Sequence, residues 1–152
     1  MTSTPTAQGQ CLCGSVAFTA QQPSLWVVHC HCTRCQRAHG AAFVTWVGFL
    51  QQQVQIHDSK QQLKWFRTTT PHTQNSAQNN TQTETQTETH ISERGFCAQC
   101  GSPMFFKSTA CANEIHIARA LFTTPLTAQP DAHVHYDTQV DWVHIAERLR
   151  VE

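Results

Sequence analysis

The sequence predicts a mainly β protein built as one domain, and three observations carry that prediction. Several short runs alternate apolar and polar residues with a period of two. No run keeps the 3.6-residue periodicity of a helix for three turns. The 152 residues suit a single domain and are enough to bury a core without covalent staples.

In chain order, residues 10–56 read as short strands. The run 15–19 (Ser-Val-Ala-Phe-Thr) alternates, and 42–49 alternates over part of its length, as half-buried strands do. Residues 63–67 and 103–107 read as further strands, and 114–119 (Glu-Ile-His-Ile-Ala-Arg) alternates throughout. Two short helices are expected, one between Arg34 and Gly40 and one over 140–149, closing the chain.

From Thr68 to Ser92 the composition changes to Thr, Gln, Asn and Glu, with Ala77 and Ile91 as the only aliphatic residues. Such a segment cannot supply a core. It repeats Thr-Gln-Thr-Glu at 81–84 and 85–88, the mark of an expanded surface loop. It is read as a long disordered insertion within the single domain 1–152, tolerated because it lacks apolar anchors.

Charge excludes some functions. Lys plus Arg and Asp plus Glu are both 10, and the sequence pI is about 7.1. A neutral chain offers no electrostatic case for nucleic acid or for an acidic membrane. Ten histidines add pH sensitivity but no partner. The first residues lack a basic and an apolar region of the kind a secretory leader has, and no stretch has the length of a spanning helix, so a cytoplasmic location is expected. In a reducing compartment, eight cysteines point to metal or thiol chemistry rather than disulfides.

The cysteines fall into Cys11-Leu12-Cys13, Cys30-His31-Cys32-Thr33-Arg34-Cys35, Cys97-Ala98-Gln99-Cys100-Gly101 and a lone Cys111. Zinc takes thiolates at about 2.3 Å in a tetrahedron, and C-x-x-C followed by glycine places two of them on one tight turn. Cys97 and Cys100 therefore form a half-site that needs two more ligands, from either Cys11 and Cys13 or the middle group. The first pairing closes a four-thiolate site that joins the chain's two halves across the insertion. It leaves Cys30, Cys32 and Cys35, three thiolates with one coordination position open, the arrangement of catalytic zinc. Closure of that position by His29, His31, His39 or Cys111 is the plainer alternative, and redox use of Cys32 and Cys35 lacks the expected βαβ context. Cys111 reads as a small buried hydrophobe. His57, His72, His90 and His133 read as surface or loop residues.

Taken together, the segments 9–16 (Gly-Gln-Cys-Leu-Cys-Gly-Ser-Val), 30–35 with Gly40 following, and 94–103 (Arg-Gly-Phe-Cys-Ala-Gln-Cys-Gly-Ser-Pro) resemble the glutathione-dependent formaldehyde-activating enzymes, whose domain is shared with centromere protein V. Ala120-Leu121 with Pro125, Pro130 before His133, and Trp142 are weaker echoes. The resemblance implies a β-tent of antiparallel sheets stapled by zinc. It also implies two metals, a structural zinc on Cys11, Cys13, Cys97 and Cys100 and a catalytic one on Cys30, Cys32 and Cys35. Two departures stand out: Phe122 follows Leu121 where relatives often carry Asp, and the spacer before the last C-x-x-C is long.

The activity implied is a carbon–sulfur lyase or synthase reaction, in which the thiolate of glutathione adds to formaldehyde or a related small aldehyde. The cysteines then serve as metal ligands and not as nucleophiles, and Arg34 and Arg37 are candidates to pair with the carboxylates of glutathione. The partners implied are a small-molecule thiol and an aldehyde. Two other readings compete, a non-catalytic zinc-stapled interaction module and methionine sulfoxide reduction. The C-x-C first half argues against the second.

Overall fold

The computed structural model describes residues 5–73, 87–146 and 149–152. Two sheets face each other. The smaller has the order β1-β2-β5, from β1 (Thr6–Gln10), β2 (Ala17–Gln21) and β5 (Val54–His57), all antiparallel. The larger runs β11-β10-β3-β4-β9-β8-β7-β6. Its strands are β3 (Trp26–Cys30), β4 (Val44–Leu50), β6 (Leu63–Thr73), β7 (Thr87–Cys97), β8 (Pro103–Ser108), β9 (Glu114–Ala118), β10 (Ala132–Val134) and β11 (Arg150–Val151). Pairing is antiparallel except at one edge, where β10 lies parallel to both β3 and β11. No helix among the described residues is long and apolar enough to cross a membrane.

Alternation along the strands sorts side chains onto two faces of the large sheet. One face carries Val27, Val47, Phe49, Phe105, Ile115 and Ile117, which pack against Val16, Phe18 and Ala20 from the smaller sheet side. The opposite face carries Cys30, Val44, Trp46 and Ala118, joined by Cys35 from α1 (Thr33–His39). A bulge where β7 shifts register against β8 between Gly95 and Phe96 lets both Met104 and Phe105 enter the first core. The extra residue, Met104, lies on β8 opposite the end of β7 that carries Cys97.

Three expectations change. Residues 68–73 and 87–92 are not loop: they continue β6 and β7 as a paired ladder from Leu63↔Cys97 to Thr73↔Thr87. β-branched threonines suit an extended hairpin arm that needs no apolar face. The rest of the expected insertion, 74–86, lies outside the described residues. The helix expected over 140–149 does not form among its described residues. Val143 and Ile145, two apart, lie instead beside His31 and Phe43 as an extended segment places them. His133 is not a surface residue but 2% exposed, because its strand is inserted between β3 and β11.

Candidate functional site

Two turns bring the outer cysteines together. After β1 the chain bends through Cys11–Val16, where the Cys11 N–H donates to the Val16 carbonyl at 2.9 Å and Gly14 takes φ of 75°. After β7 it bends through Cys97–Ser102, where the Cys97 N–H donates to the Ser102 carbonyl at 3.0 Å and Gly101 takes φ of 74°. Glycine at these positions allows the left-handed backbone without a Cβ clash. The Leu12 N–H donates to Ser102 Oγ at 3.0 Å and ties one turn to the other.

The four sulfurs of Cys11, Cys13, Cys97 and Cys100 lie within 4.8 Å of one another. Cys11 Sγ is 3.6 Å from Cys13 Sγ, which is 3.8 Å from Cys97 Sγ. The edge of a tetrahedron of thiolates about 2.3 Å from zinc is about 3.8 Å, so the cluster has the size to hold such an ion. Burial pushes the Cys97 thiol up to about 11, whereas hydrogen bonding to Ser102 brings Cys100 down to about 5. A divalent cation is what allows such crowded thiols to ionise together.

The second cluster is built on the end of β3 and the start of α1. Cys30 ends the strand, Cys32 caps the helix by accepting the Cys35 N–H at 3.3 Å, and Cys35 turns inward in the first helical turn. Gly40, with φ of 59°, terminates the helix by donating its N–H to the Gln36 carbonyl. Gln36 Nε2 donates to the carbonyls of His31 at 2.7 Å and Thr138 at 3.0 Å, fixing the motif to a distant segment. Cys30, Cys32 and Cys35 hold their sulfurs within 4.8 Å of one another. Hydrogen bonds from Cys30 and then Cys35 hold the Cys32 thiol far below its usual range. The same contact with Cys32, then Cys35, drives Cys30 up. Cys35 is drawn down by Cys30 but raised on balance by Cys32, burial and their mutual charge. Such crowding of three sulfurs is relieved when a cation binds them as thiolates.

Among the described residues, none of the side chains considered as a fourth ligand joins the three sulfurs, although the buried His31 Nδ1 has no hydrogen-bond partner. His29 Nδ1 meets Thr45 Oγ1 at 2.8 Å, His31 Nε2 meets His133 Nδ1 at 3.0 Å, and His39 stands edge-on to Trp46 at 5.2 Å. Cys111 lies at 3.7 Å from His116 Nε2, half-buried and not a plain core residue.

A cleft of about 610 Å³ is lined by Arg34, Arg37 and His39 of α1, by Phe66 of β6 and by Arg94 of β7; the three cysteines do not line it, and Arg94 links it to the cluster. Both terminal nitrogens of Arg94 approach Cys35 Sγ at 3.9 Å, and its guanidinium sits 4.9 Å over the Phe106 ring. Arg94, quoted in the 94–103 segment but given no role from the sequence, is the candidate site residue that the structure adds. Its signal was its place three residues before Cys97 on an alternating strand. Burial, and then the charge of Arg94, bring the His39 imidazole down to about 4. Phe122, which departs from the resembled pattern, packs against Phe18 at 5.0 Å and Phe49 at 6.1 Å. It therefore fills the core on the small-sheet side and does not line this cleft.

The family model described as glutathione-dependent formaldehyde-activating enzyme matches residues 6–138. A crystal structure of a Rhodobacter sphaeroides protein has a similar fold, at a TM-score of 0.51 and 15% sequence identity, covering 79% of this chain and 91% of that one. No curated protein matches the sequence.

Proposed function

We propose, because the chain belongs to the glutathione-dependent formaldehyde-activating enzyme family, that it joins the thiol of glutathione to formaldehyde or a related small aldehyde and catalyses the reverse cleavage. The observation that carries this reading is the three-sulfur group Cys30, Cys32 and Cys35, joined through Arg94 to a cleft lined by three arginines. Cys11, Cys13, Cys97 and Cys100 would hold a structural zinc, and Cys30, Cys32 and Cys35 a second one. The chemistry a second zinc supplies is a free coordination position that keeps a substrate thiol ionised at neutral pH.

The residues of the chain do the rest. Arg94, anchored by Cys35 and Phe106, meets a carboxylate of glutathione, and Arg34 and Arg37 on the exposed side of α1 meet another. Held this way, the sulfur faces the aldehyde, the carbon–sulfur bond forms, and the carbonyl electron pair moves to oxygen. The proton lost by the thiol ends on that oxygen, so the step balances without any oxidant. Thiols add to formaldehyde unaided, so orientation and a larger thiolate fraction are all the protein needs to supply.

The test is formaldehyde consumption in the presence of glutathione, followed by NMR with the unaided rate subtracted. The wild-type protein accelerates it and Cys32→Ser does not. Equal rates for the two proteins would overturn the reading.

A further inference from the structure

Cys111, Glu114 and His116 have no place in the two clusters described above. Cys111 ends a 3₁₀ turn (Thr109–Cys111) between β8 and β9, and Glu114 and His116, two residues apart, share one face of β9. One ligand atom from each lies within 4.8 Å of the others. His116 Nε2 is 3.7 Å from Cys111 Sγ and 3.1 Å from Glu114 Oε2. Around a tetrahedral zinc the corresponding sulfur–nitrogen and nitrogen–oxygen separations are about 3.5 and about 3.3 Å.

A hydrogen-bonded cluster accounts for only part of this. A single Nε2–H can point at the carboxylate or at the sulfur, and whichever it leaves is close without a bond. A shared cation uses all three donors. The surroundings suit one: Trp26 Nε1 donates to Glu114 Oε2 at 3.2 Å and fixes the carboxylate. The His116 ring is held between Trp26, edge-on at 4.6 Å, and Phe106 at 5.4 Å. Its side chain is 13% exposed and that of Glu114 is 27% exposed, so both lie near the surface, where an ion from solvent can reach them.

We propose that Cys111, Glu114 and His116 form a separate divalent-metal site at the β8–β9 turn. The donor set of one thiolate, one imidazole and one carboxylate selects zinc or a similar borderline transition ion over magnesium or calcium. The site is distinct from the cysteine cluster on the same sheet face. Cys30 pairs with Val44 at the start of β4, whereas Glu114 pairs with Leu50 at its end. Bound metal would fasten the turn to β9 and, through Trp26, to β3.

The test is zinc per chain after equilibrium dialysis against zinc ion, comparing the full-length wild type with Cys111→Ser. The conservative change in a half-buried turn preserves the fold, which near-UV circular dichroism verifies. One fewer zinc per chain in Cys111→Ser is expected, and identical stoichiometry overturns the proposal. Trp26→Phe keeps all three ligands while removing the indole N–H donor to Glu114 and part of the ring that packs against His116. It should weaken zinc binding at this site by about 10- to 100-fold, as loss of a ligand's supporting hydrogen bond does. Unchanged affinity in Trp26→Phe would refute the role given to the indole.

Discussion

Replacing Arg94 by glutamine keeps most of the stem and its polarity while removing the charge beside the second cysteine cluster. The guanidinium is half-buried, with two nitrogens 3.9 Å from Cys35 Sγ and its plane over Phe106. A hydrogen bond from such a group to a substrate carboxylate contributes about 1.5–3 kcal/mol. Arg94→Gln should therefore lower kcat/KM for glutathione by about 10- to 150-fold. Because the cleft opens to solvent, the lower half of that range is expected. The assay is the NMR exchange rate between formaldehyde and its thiol adduct, run with glutathione and with 2-mercaptoethanol, which has no carboxylate. The loss should fall below about threefold for 2-mercaptoethanol, since only the carboxylate contact has been removed. Equal losses for the two thiols would refute carboxylate recognition by Arg94 and point to damage at Cys35.

Gly9→Ala would place a Cβ 2.2 Å from the Phe18 ring and 2.5 Å from the Leu121 carbonyl oxygen, which is backbone and cannot swing aside. A cost of about 1–3 kcal/mol or more is expected, lowering Tm by about 3–10 °C in calorimetry. An unchanged Tm would contradict the packing. Cys97→Ser removes a buried proposed ligand at the start of the second turn and should lose one zinc together with cooperative thermal unfolding, whereas Cys32→Ser should lose one zinc and still unfold cooperatively. His39 has its pKa lowered from 6.5 to about 4, so on acidification the unfolded chain takes up this proton before the folded one does. The stability it contributes is complete above about 6.5 and is lost as pH falls toward 4. Solvent screening of the half-buried ring reduces this to about 1 kcal/mol, so His39→Gln should lessen the acid-induced loss of stability by about that amount in urea unfolding. A loss of the same size in both proteins would contradict the assignment.

The cysteine clusters were legible in sequence because thiolate geometry is local: C-x-C, C-x-C-x-x-C and C-x-x-C-G each set their sulfurs on a single turn. The alternating runs around Phe18, Phe49 and Ile117 were legible because each lies in a strand with one face on the core. Arg94 was not, since its approach to Cys35 depends on the register that sets Phe66, Arg94 and Phe106 side by side across three strands. His133 was hidden for a related reason. Its strand is three residues long, too short to show a period, and is buried only by parallel pairing with β3, a hundred residues earlier in the chain. The threonine-rich ends of β6 and β7 read as loop because they carry no apolar alternation to mark a half-buried strand. At 140–149 the apolar spacing fits a helix, but Val143 and Ile145 pack from an extended backbone beside Phe43.

The central claim is that Cys30, Cys32 and Cys35 hold a metal ion with a position left for the substrate thiol, and cobalt substitution tests it most directly. Glutathione should add a saturable increment to the sulfur-to-cobalt charge-transfer absorption of the wild-type protein, and none to that of Cys32→Ser. A wild-type spectrum that glutathione leaves unchanged would contradict the account.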